Sequence, residues 1–166
     1  RHVTGVVDPV ADAVVARRLG DADVTVAGGA ESMSRSPYAV PAMRWGARMN
    51  DAKMVDMMVG ALSDPFDDCH MGVTAENVAK KYSVSRQDQD ALAAESHRRA
   101  GLALQHGYFR AQIVPVEIQV KKDRIPFETD EGPRSETTAE RLGKLRPIFD
   151  PAGSVTAGNA SSINDA

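Results

Sequence analysis

The chain contains very little cysteine, few aromatic residues and no long apolar run. Its 166 residues include one cysteine, Cys69, and aromatic side chains make up 5% of the total. A single cysteine excludes an internal disulfide framework and a cysteine-rich metal site. No uninterrupted apolar stretch approaches the roughly 20 residues that cross a bilayer, so we expect no membrane partner.

The chain also lacks an excess of positive charge. Its 20 Lys and Arg residues face 23 Asp and Glu residues, which gives a formal charge of −3 and no basic field for nucleic acid. The N-terminus has no secretory signal, so we expect a cytoplasmic protein. The chain opens without methionine and ends directly after a polar, functional-looking loop, so we expect a piece of a longer protein.

The first third of the chain predicts an α/β fold. Asp8–Pro9 is a typical helix start, and helical spacing continues to Leu19. Ala22–Ala27 is short and rich in β-branched residues, which predicts a buried strand that ends at the Gly28–Gly29 turn. A helix, a tight connection and a buried strand in this order are typical of an α/β layer.

The middle of the chain predicts several further elements. Three helices are expected: a Met-rich packing helix within Lys53–Leu62, one from Thr74 to Tyr82, and one from Ser85 to Gly107. In the last of these, the charged residues, Asp90 among them, are expected on a solvated face. Alternation predicts a half-exposed strand over Val114–Val120 with a return strand near Phe127, and a short helix follows over Ser135–Leu142.

The closing segment, Gly153 to Asp165, carries the densest group of candidate binding residues. It reads GSVTAGNASSIND, a β-type run over Ser154–Ala157 that breaks at Gly158 into small polar residues. Glycine lets another molecule approach the main chain, and the hydroxyls and amides that follow offer hydrogen bonds with little bulk. Composition alone leaves an ordinary polar loop as the alternative.

Three other residues stand out, each with an ordinary alternative. His70 is either a pocket residue or a capping or core histidine, because a lone histidine needs partners before it acts as a ligand or base. Arg134 lies in an acidic stretch and suits a phosphate or a flat ring, although most exposed arginines serve solubility. Cys69 is expected to be a small buried thiol.

Four strings in the same order resemble the thiolases, the acyl-coenzyme A C-acyltransferases. They are VAGGAESMSRSPY at 26–38, HMGVTAEN at 70–77, LRPIF at 145–149 and GSVTAGNASSIND at 153–165. The resemblance implies a partial thiolase fold of class α/β. Residues 1–33 would end the N-terminal α/β core half, 34–150 would form the inserted loop domain that covers the coenzyme A site, and 151–166 would hold the return strand and the pantetheine-contacting loop.

The resemblance also implies roles for individual residues. Arg134 would contact the adenine nucleotide and Phe149 would pack on pantetheine. The Ala157 carbonyl and Ser161 would hydrogen-bond the pantetheine amides. The acyl end of the substrate would be shaped by His70, Met71 and Ile163. Coenzyme A thioester is the substrate in this family, and no further cofactor is implied.

Thiolases use two cysteines and a histidine in reversible Claisen chemistry, acting on 3-ketoacyl-CoA and acetyl-CoA in fatty acid metabolism. Counting back without gaps places the nucleophile position near Val3, and neither Val3 nor Cys69 matches a catalytic cysteine. We therefore assign no catalytic residue and expect no turnover from this chain alone. The family implies a dimer or tetramer, with Met43 and Trp45 candidates for a subunit contact.

Three alternatives stay open at this stage. The first is the middle of a complete thiolase. The second is a non-catalytic CoA-binding or subunit-interaction module, or a degenerate thiolase copy. The third is a relative that catalyses another acyl-thioester reaction, such as a synthase step.

Overall fold

A computed structural model describes residues 9–30 and 32–165. These residues form two compact units. The first comprises the described residues up to Met58 together with those from Ile163 onward, and the second is Val59–Ser162. The expected boundaries at 33/34 and 150/151 remain predictions. The predicted cap Asp8 and the nucleophile position at Val3 lie outside the described residues.

The first unit begins with helix α1, Pro9–Leu19, as the sequence predicts. The helix ends at Gly20, whose φ of +78° is the left-handed conformation that glycine adopts without strain. The buried strand predicted over Ala22–Ala27 is wrong. Val24 and Val26 are 82% and 97% exposed, because no described segment pairs with this backbone to form a sheet.

The rest of the first unit is made of short elements. Two 3₁₀ helices, Met33–Arg35 and Pro41–Trp45, flank strand β1, Tyr38–Ala39, which pairs antiparallel with β2, Val55–Asp56. Pro41 opens the second 3₁₀ helix, and Gly46 closes it with a φ of +90°. This irregular course agrees with the absence of a sustained period in the sequence.

The Met-rich stretch is less helical than predicted. Helix α2 is only Met57–Ala61, it follows β2 directly, and it spans the division between the two units. Met54 lies before the helix and is exposed rather than packed. The Asp56 carboxylate accepts a hydrogen bond from the Met58 amide at 2.9 Å, which starts the helix late.

The second unit contains the longer helices. Strands β3, Ser63–Asp64, and β4, Cys69–His70, pair antiparallel and lead into helix α3, Met71–Tyr82. Helix α4, Arg86–His106, is capped by Ser85, whose hydroxyl accepts from the Asp88 amide at 3.1 Å, and it ends at Gly107 with a φ of +66°. The start and end of α4 match the prediction.

The chain then forms an antiparallel hairpin. Strand β5, Val116–Val120, pairs with β6, Asp123–Phe127, with Val116 opposite Phe127 and Val120 opposite Asp123. The hairpin is confirmed, but every position in both strands is exposed rather than alternately buried. Helix α5, Ala139–Gly143, begins later than predicted because Thr138 caps it by accepting from the Arg141 amide at 3.2 Å.

The most buried side chains surround the end of the second unit. Leu142 and Val155 are each 5% exposed, Thr156 is fully buried, and the acids Glu76 and Asp90 are also buried. The predicted return strand over Ser154–Ala157 is not formed: residues 153–156 run irregularly and a turn follows. Their backbone donors bind side chains instead of a neighbouring strand, as described below.

Candidate functional site

The closing loop, residues 153–161, is attached to helix α3 by a buried carboxylate. Both Glu76 oxygens accept from the Ser154 amide at 2.9 Å, and one accepts from the Val155 amide at 2.7 Å. The Ser154 hydroxyl donates to the same carboxylate at 3.1 Å. Gly153 lies so close that an added Cβ would overlap the Glu76 carboxylate. Glycine is therefore needed here for close approach.

The environment of Glu76 favours its charged form. Burial raises the pKa of this carboxyl, but the hydrogen bonds from the Val155 amide, the Ser154 amide and the Ser154 hydroxyl outweigh it. The pKa therefore lies below its ordinary value of 4.5. Glu76 is a carboxylate at neutral pH, and its negative charge strengthens each of the hydrogen bonds that it accepts.

A second buried carboxylate, that of Asp90, binds the closing loop at Asn159. Asp90, on α4, accepts from the Asn159 side-chain nitrogen at 3.0 Å and from the Arg86 guanidinium at 2.7 Å. The Asn159 side chain also donates to the Ser154 carbonyl at 3.0 Å and accepts from the Thr156 amide at 2.7 Å. Asn159 thus closes the turn and ties it to α4.

Arg86 extends this network to helix α5. Its guanidinium donates to the carbonyls of Leu142 and Leu145 at 2.7 Å and 3.0 Å. The side chains of these two leucines pack against Gly158, where an added Cβ would overlap both. The expectation that Asp90 lies on a solvated face is wrong, because its ion pair with Arg86 and its bond from Asn159 compensate its burial.

The closing loop is exposed at Ala157, between these attachments, and again after Asn159. The Thr156 carbonyl accepts from the Ala160 amide at 3.1 Å, which folds the chain into a tight turn. Ala157 and Ser161, the residues predicted to hydrogen-bond pantetheine amides, are both exposed. The closing loop is therefore a turn held by hydrogen bonds at both ends, with Ala157, Ala160 and Ser161 exposed where a ligand can reach the polar groups.

His70 and Phe149 lie in contact. Their rings stack with centroids 4.8 Å apart and planes 26° from parallel. His70 caps α3 by accepting from the Gly72 amide through Nδ1 at 3.0 Å, so the helix begins there rather than at Thr74. Acceptance at Nδ1 places the proton of the neutral ring on Nε2. Gly72 has no room for a Cβ, because the Phe149 ring occupies that space.

The backbone links Phe149 to the closing loop. The amide of its neighbour Ile148 donates to the Val155 carbonyl at 3.0 Å, so the chain folds back on itself between these residues. Met71 is adjacent to His70 and 57% exposed. His70 and Phe149 are thus in direct contact, and Phe149 is joined to the loop that carries Ala157 and Ser161.

Arg134 has a different environment from this group. Arg134 is exposed, and its amide donates to the Nδ1 atom of His97 on α4 at 3.1 Å. Ile163 belongs to the first unit and is 57% exposed. Two residues later, the Asp165 carboxylate accepts from the Ser34 hydroxyl and amide, which lowers the pKa of Asp165 below its ordinary value of 3.8.

Cys69 has a structural environment. It is half-buried, and its sulfur lies 3.7 Å from the Thr74 hydroxyl. Among residues 9–30 and 32–165, no group of three His, Cys, Asp or Glu side chains is placed to hold a metal ion. In the same residues, no helix is both long and apolar enough to cross a membrane.

Sequence reasoning missed the two anchoring carboxylates, although each has a signal. Glu76 follows Gly72 at a spacing of four and precedes Ala79 at three, so it lies on the small-residue face of α3. A lone acid on such a face indicates a buried hydrogen-bonding partner. Asp90 follows Arg86 at a spacing of four, which is the spacing of a helical ion pair.

Comparison with known proteins identifies the family. The family model "Thiolase, N-terminal domain" matches residues 6–166. The chain belongs to the thiolase family.

Individual relatives agree with this assignment. The chain is 60% identical over 149 residues to beta-ketothiolase BktB of Cupriavidus necator, covering 89% of this chain and 38% of that protein. It is similar to the crystal structure of the Bacillus anthracis acetyl-CoA acetyltransferase, with a TM-score of 0.83 and 44% identity over 95% of this chain and 40% of that one.

A third relative is human mitochondrial 3-ketoacyl-CoA thiolase, solved in complex with CoA. Its TM-score is 0.79 with 38% identity, covering 95% of this chain and 39% of that one. These matches confirm the predicted partial thiolase fold of class α/β. The chain spans about two fifths of the length of the relatives that it matches.

Proposed function

We propose that this chain supplies the coenzyme A-binding part of a thiolase-type acyltransferase. The whole protein would condense two acetyl-CoA molecules to acetoacetyl-CoA, or cleave 3-ketoacyl-CoA with coenzyme A in the reverse direction. The observation that carries the proposal is the closing loop, where exposed Ala157 and Ser161 sit on a backbone held by two buried carboxylates. The human relative solved with CoA supports this choice of ligand.

The proposed site uses the residues that the resemblance implies. Ala157 and Ser161 hydrogen-bond the pantetheine amides, and Phe149 packs on the pantetheine chain. The acyl end meets His70, Met71 and Ile163. His70 offers a free Nε2–H there, because Nδ1 already accepts from the Gly72 amide. Arg134, exposed on its segment, contacts the adenine nucleotide through its flat guanidinium.

Calorimetric titration of the chain with coenzyme A tests this proposal. The double variant Arg134→Ala, Phe149→Ala is expected to weaken binding at least about a hundredfold, since each contact is worth about a factor of ten. A matched control removes the same residue types elsewhere: Phe109→Ala with Arg110→Ala, both exposed after α4. Equal affinity of the two double variants, or no binding by the unaltered chain, would contradict the proposal.

We also propose that the chain has no thiolase turnover alone. Its one cysteine, Cys69, is half-buried, and the described contact of its sulfur is the Thr74 hydroxyl, which is not a base. A thiol without a base is a poor nucleophile at neutral pH. The assay is thiolysis of acetoacetyl-CoA; a measurable rate that disappears in Cys69→Ser would overturn this part.

A second candidate, a subunit-interaction module, is favoured by apolar exposure in the first unit. Trp45 and Met49 are each 85% exposed, and Met43 is 63% exposed. Large exposed apolar side chains are typical of protein contacts. We propose a homo-oligomer, a dimer or tetramer, in the cytoplasm. Sedimentation should show assembly that Trp45→Ser weakens; an unaltered chain that stays monomeric at high concentration would exclude it.

A further inference from the structure

Every described hydrogen bond of the Glu76 carboxylate is made to the start of the closing loop. An ionised carboxylate offers about four acceptor positions. In this chain the Ser154 amide contacts both oxygens, the Val155 amide contacts one, and the Ser154 hydroxyl contacts the other. The side chain is also buried. The described role of the Glu76 carboxylate is therefore to bind Ser154 and Val155, where the closing loop begins.

Helix α3, which carries Glu76, also contacts Phe149 and His70. One turn earlier in α3, Gly72 receives the Phe149 ring and binds the His70 cap through its amide. The Val155 residue that donates to Glu76 also accepts, through its carbonyl, from the Ile148 amide next to Phe149. Displacing the loop from Glu76 would therefore disturb the position of Phe149 as well.

From this geometry we propose that Glu76 is a positioning residue for coenzyme A binding: it holds the closing loop and Phe149 in the arrangement that receives pantetheine. The inference rests on the proposed function. A loop already fixed in its bound conformation loses less conformational entropy when a ligand binds, so the loop attachment contributes directly to affinity. The adenine end of the ligand, assigned to Arg134, has no contact with Glu76.

Glu76→Gln is the sharpest probe. Glutamine has the same shape and its oxygen can still accept from the Ser154 and Val155 amides, while its nitrogen can donate to the Ser154 hydroxyl. The variant therefore removes the negative charge that strengthens these hydrogen bonds, and the amide contact at the second oxygen, without a change in volume. The matched control is Glu95→Gln on α4, which removes an exposed carboxylate bound by Arg98 and Arg99. Ser154→Ala is a milder second variant: it removes the hydroxyl that donates to Glu76 and accepts from the Gln89 side chain, and it keeps the backbone contacts.

The measurement compares two ligands, coenzyme A and its nucleotide portion, adenosine 3′,5′-bisphosphate. Glu76→Gln is expected to weaken coenzyme A binding by about tenfold, the factor associated with a hydrogen bond to a charged group, and to leave the bisphosphate unchanged. Glu95→Gln should leave both unchanged. If Glu76→Gln unfolds the chain, its affinities for coenzyme A and for the bisphosphate fall together. Ser154→Ala then decides the question: the positioning role predicts a smaller loss of affinity for coenzyme A only.

Each outcome separates the two proposals. If the unaltered chain binds coenzyme A and Glu76→Gln binds it equally well, the positioning role is wrong and the proposed function stands. If the unaltered chain binds neither ligand, the proposed function is wrong. Hydrogen exchange at the Ser154 and Val155 amides then tests whether Glu76 holds the closing loop. Faster exchange in Glu76→Gln than in Glu95→Gln supports the positioning role, and equal rates overturn it.

Discussion

Replacing Gly153 by alanine tests the close contact between the closing loop and Glu76. Gly153 has an ordinary backbone conformation that alanine adopts freely, so any effect comes from the added methyl group. That methyl would lie 2.6 Å from the Glu76 carboxyl carbon and 2.8 Å from Oε2. Atoms cannot remain this close, so either the carboxylate or the loop backbone moves.

The loss of stability depends on the contacts that break when the carboxylate or the loop backbone moves. Overpacking a tight site costs about 1–3 kcal/mol. Each hydrogen bond to a charged group that is lost adds about 1.5–3 kcal/mol, and Glu76 accepts from the Ser154 and Val155 amides at 2.9 Å and 2.7 Å. Partial relaxation retains some of these bonds. We expect Gly153→Ala to lower the free energy of unfolding by about 2–4 kcal/mol.

The assay is urea unfolding followed by circular dichroism, with Gly143→Ala as the matched control. Gly143 ends α5, and an alanine Cβ there would meet nothing within 4 Å, so that variant should be neutral or slightly stabilising. The prediction is a clear fall in the midpoint for Gly153→Ala only. Equal midpoints for the two variants would refute the placement of Glu76 beneath Gly153.

Three further predictions follow from the same contacts. Gly72→Ala should displace the Phe149 ring from His70 and weaken coenzyme A binding at least about tenfold, measured by calorimetry; unchanged affinity would contradict the ring placement. Asp90→Ala should lower the free energy of unfolding, measured in urea, by about 3 kcal/mol because it leaves Arg86 without its buried partner. The control Glu140→Ala breaks an exposed ion pair with Lys144 and should have no measurable effect. The pKa of Glu76 in the folded chain lies below 4.5, so the stability that its charge contributes is complete above that pH and is lost as pH falls through the lowered value. The difference in urea-unfolding midpoint between the unaltered chain and Glu76→Gln should therefore narrow only in acid. A difference that already narrows at neutral pH would contradict this prediction.

Local signals in the sequence predicted several elements well. Ser85 with Asp88 gave the start of α4, and Gly107 gave its end, because capping and left-handed glycine conformations depend on neighbouring residues alone. The turn at Lys121–Lys122 between β5 and β6 also depends on neighbouring residues alone. The thiolase family itself followed from ordered strings of residues.

Other features could not be predicted because they depend on distant partners. Val24 and Val26 favour a strand by composition, but a strand requires a neighbouring backbone, which the described residues do not provide. The charge of Asp90 is typical of a solvated helix face, yet a partner 69 positions away makes its burial favourable. The Ser154–Ala157 run predicts a strand, but the amides of Ser154 and Val155 bind the Glu76 carboxylate on α3.

The candidate site was predicted in part for the same reason. Family resemblance named His70 and Phe149 separately, and the structure brings their rings together. Nothing in a single string indicates that Gly72 provides the space for this contact. The roles of Arg134, Ala157, Ser161, Met71 and Ile163 toward coenzyme A stay predictions.

The most direct test of the central claim is a ¹H–¹⁵N NMR titration of the chain with coenzyme A. The closing loop should respond: amide shifts are expected at Ala157 and Ser161 and near the His70–Phe149 pair, while the β5–β6 hairpin stays unchanged. Saturable shifts at these positions, together with shifts near Arg134 from the adenine end, would support a pantetheine site on the closing loop. Shifts restricted to the hairpin, or none at saturating coenzyme A, would contradict it.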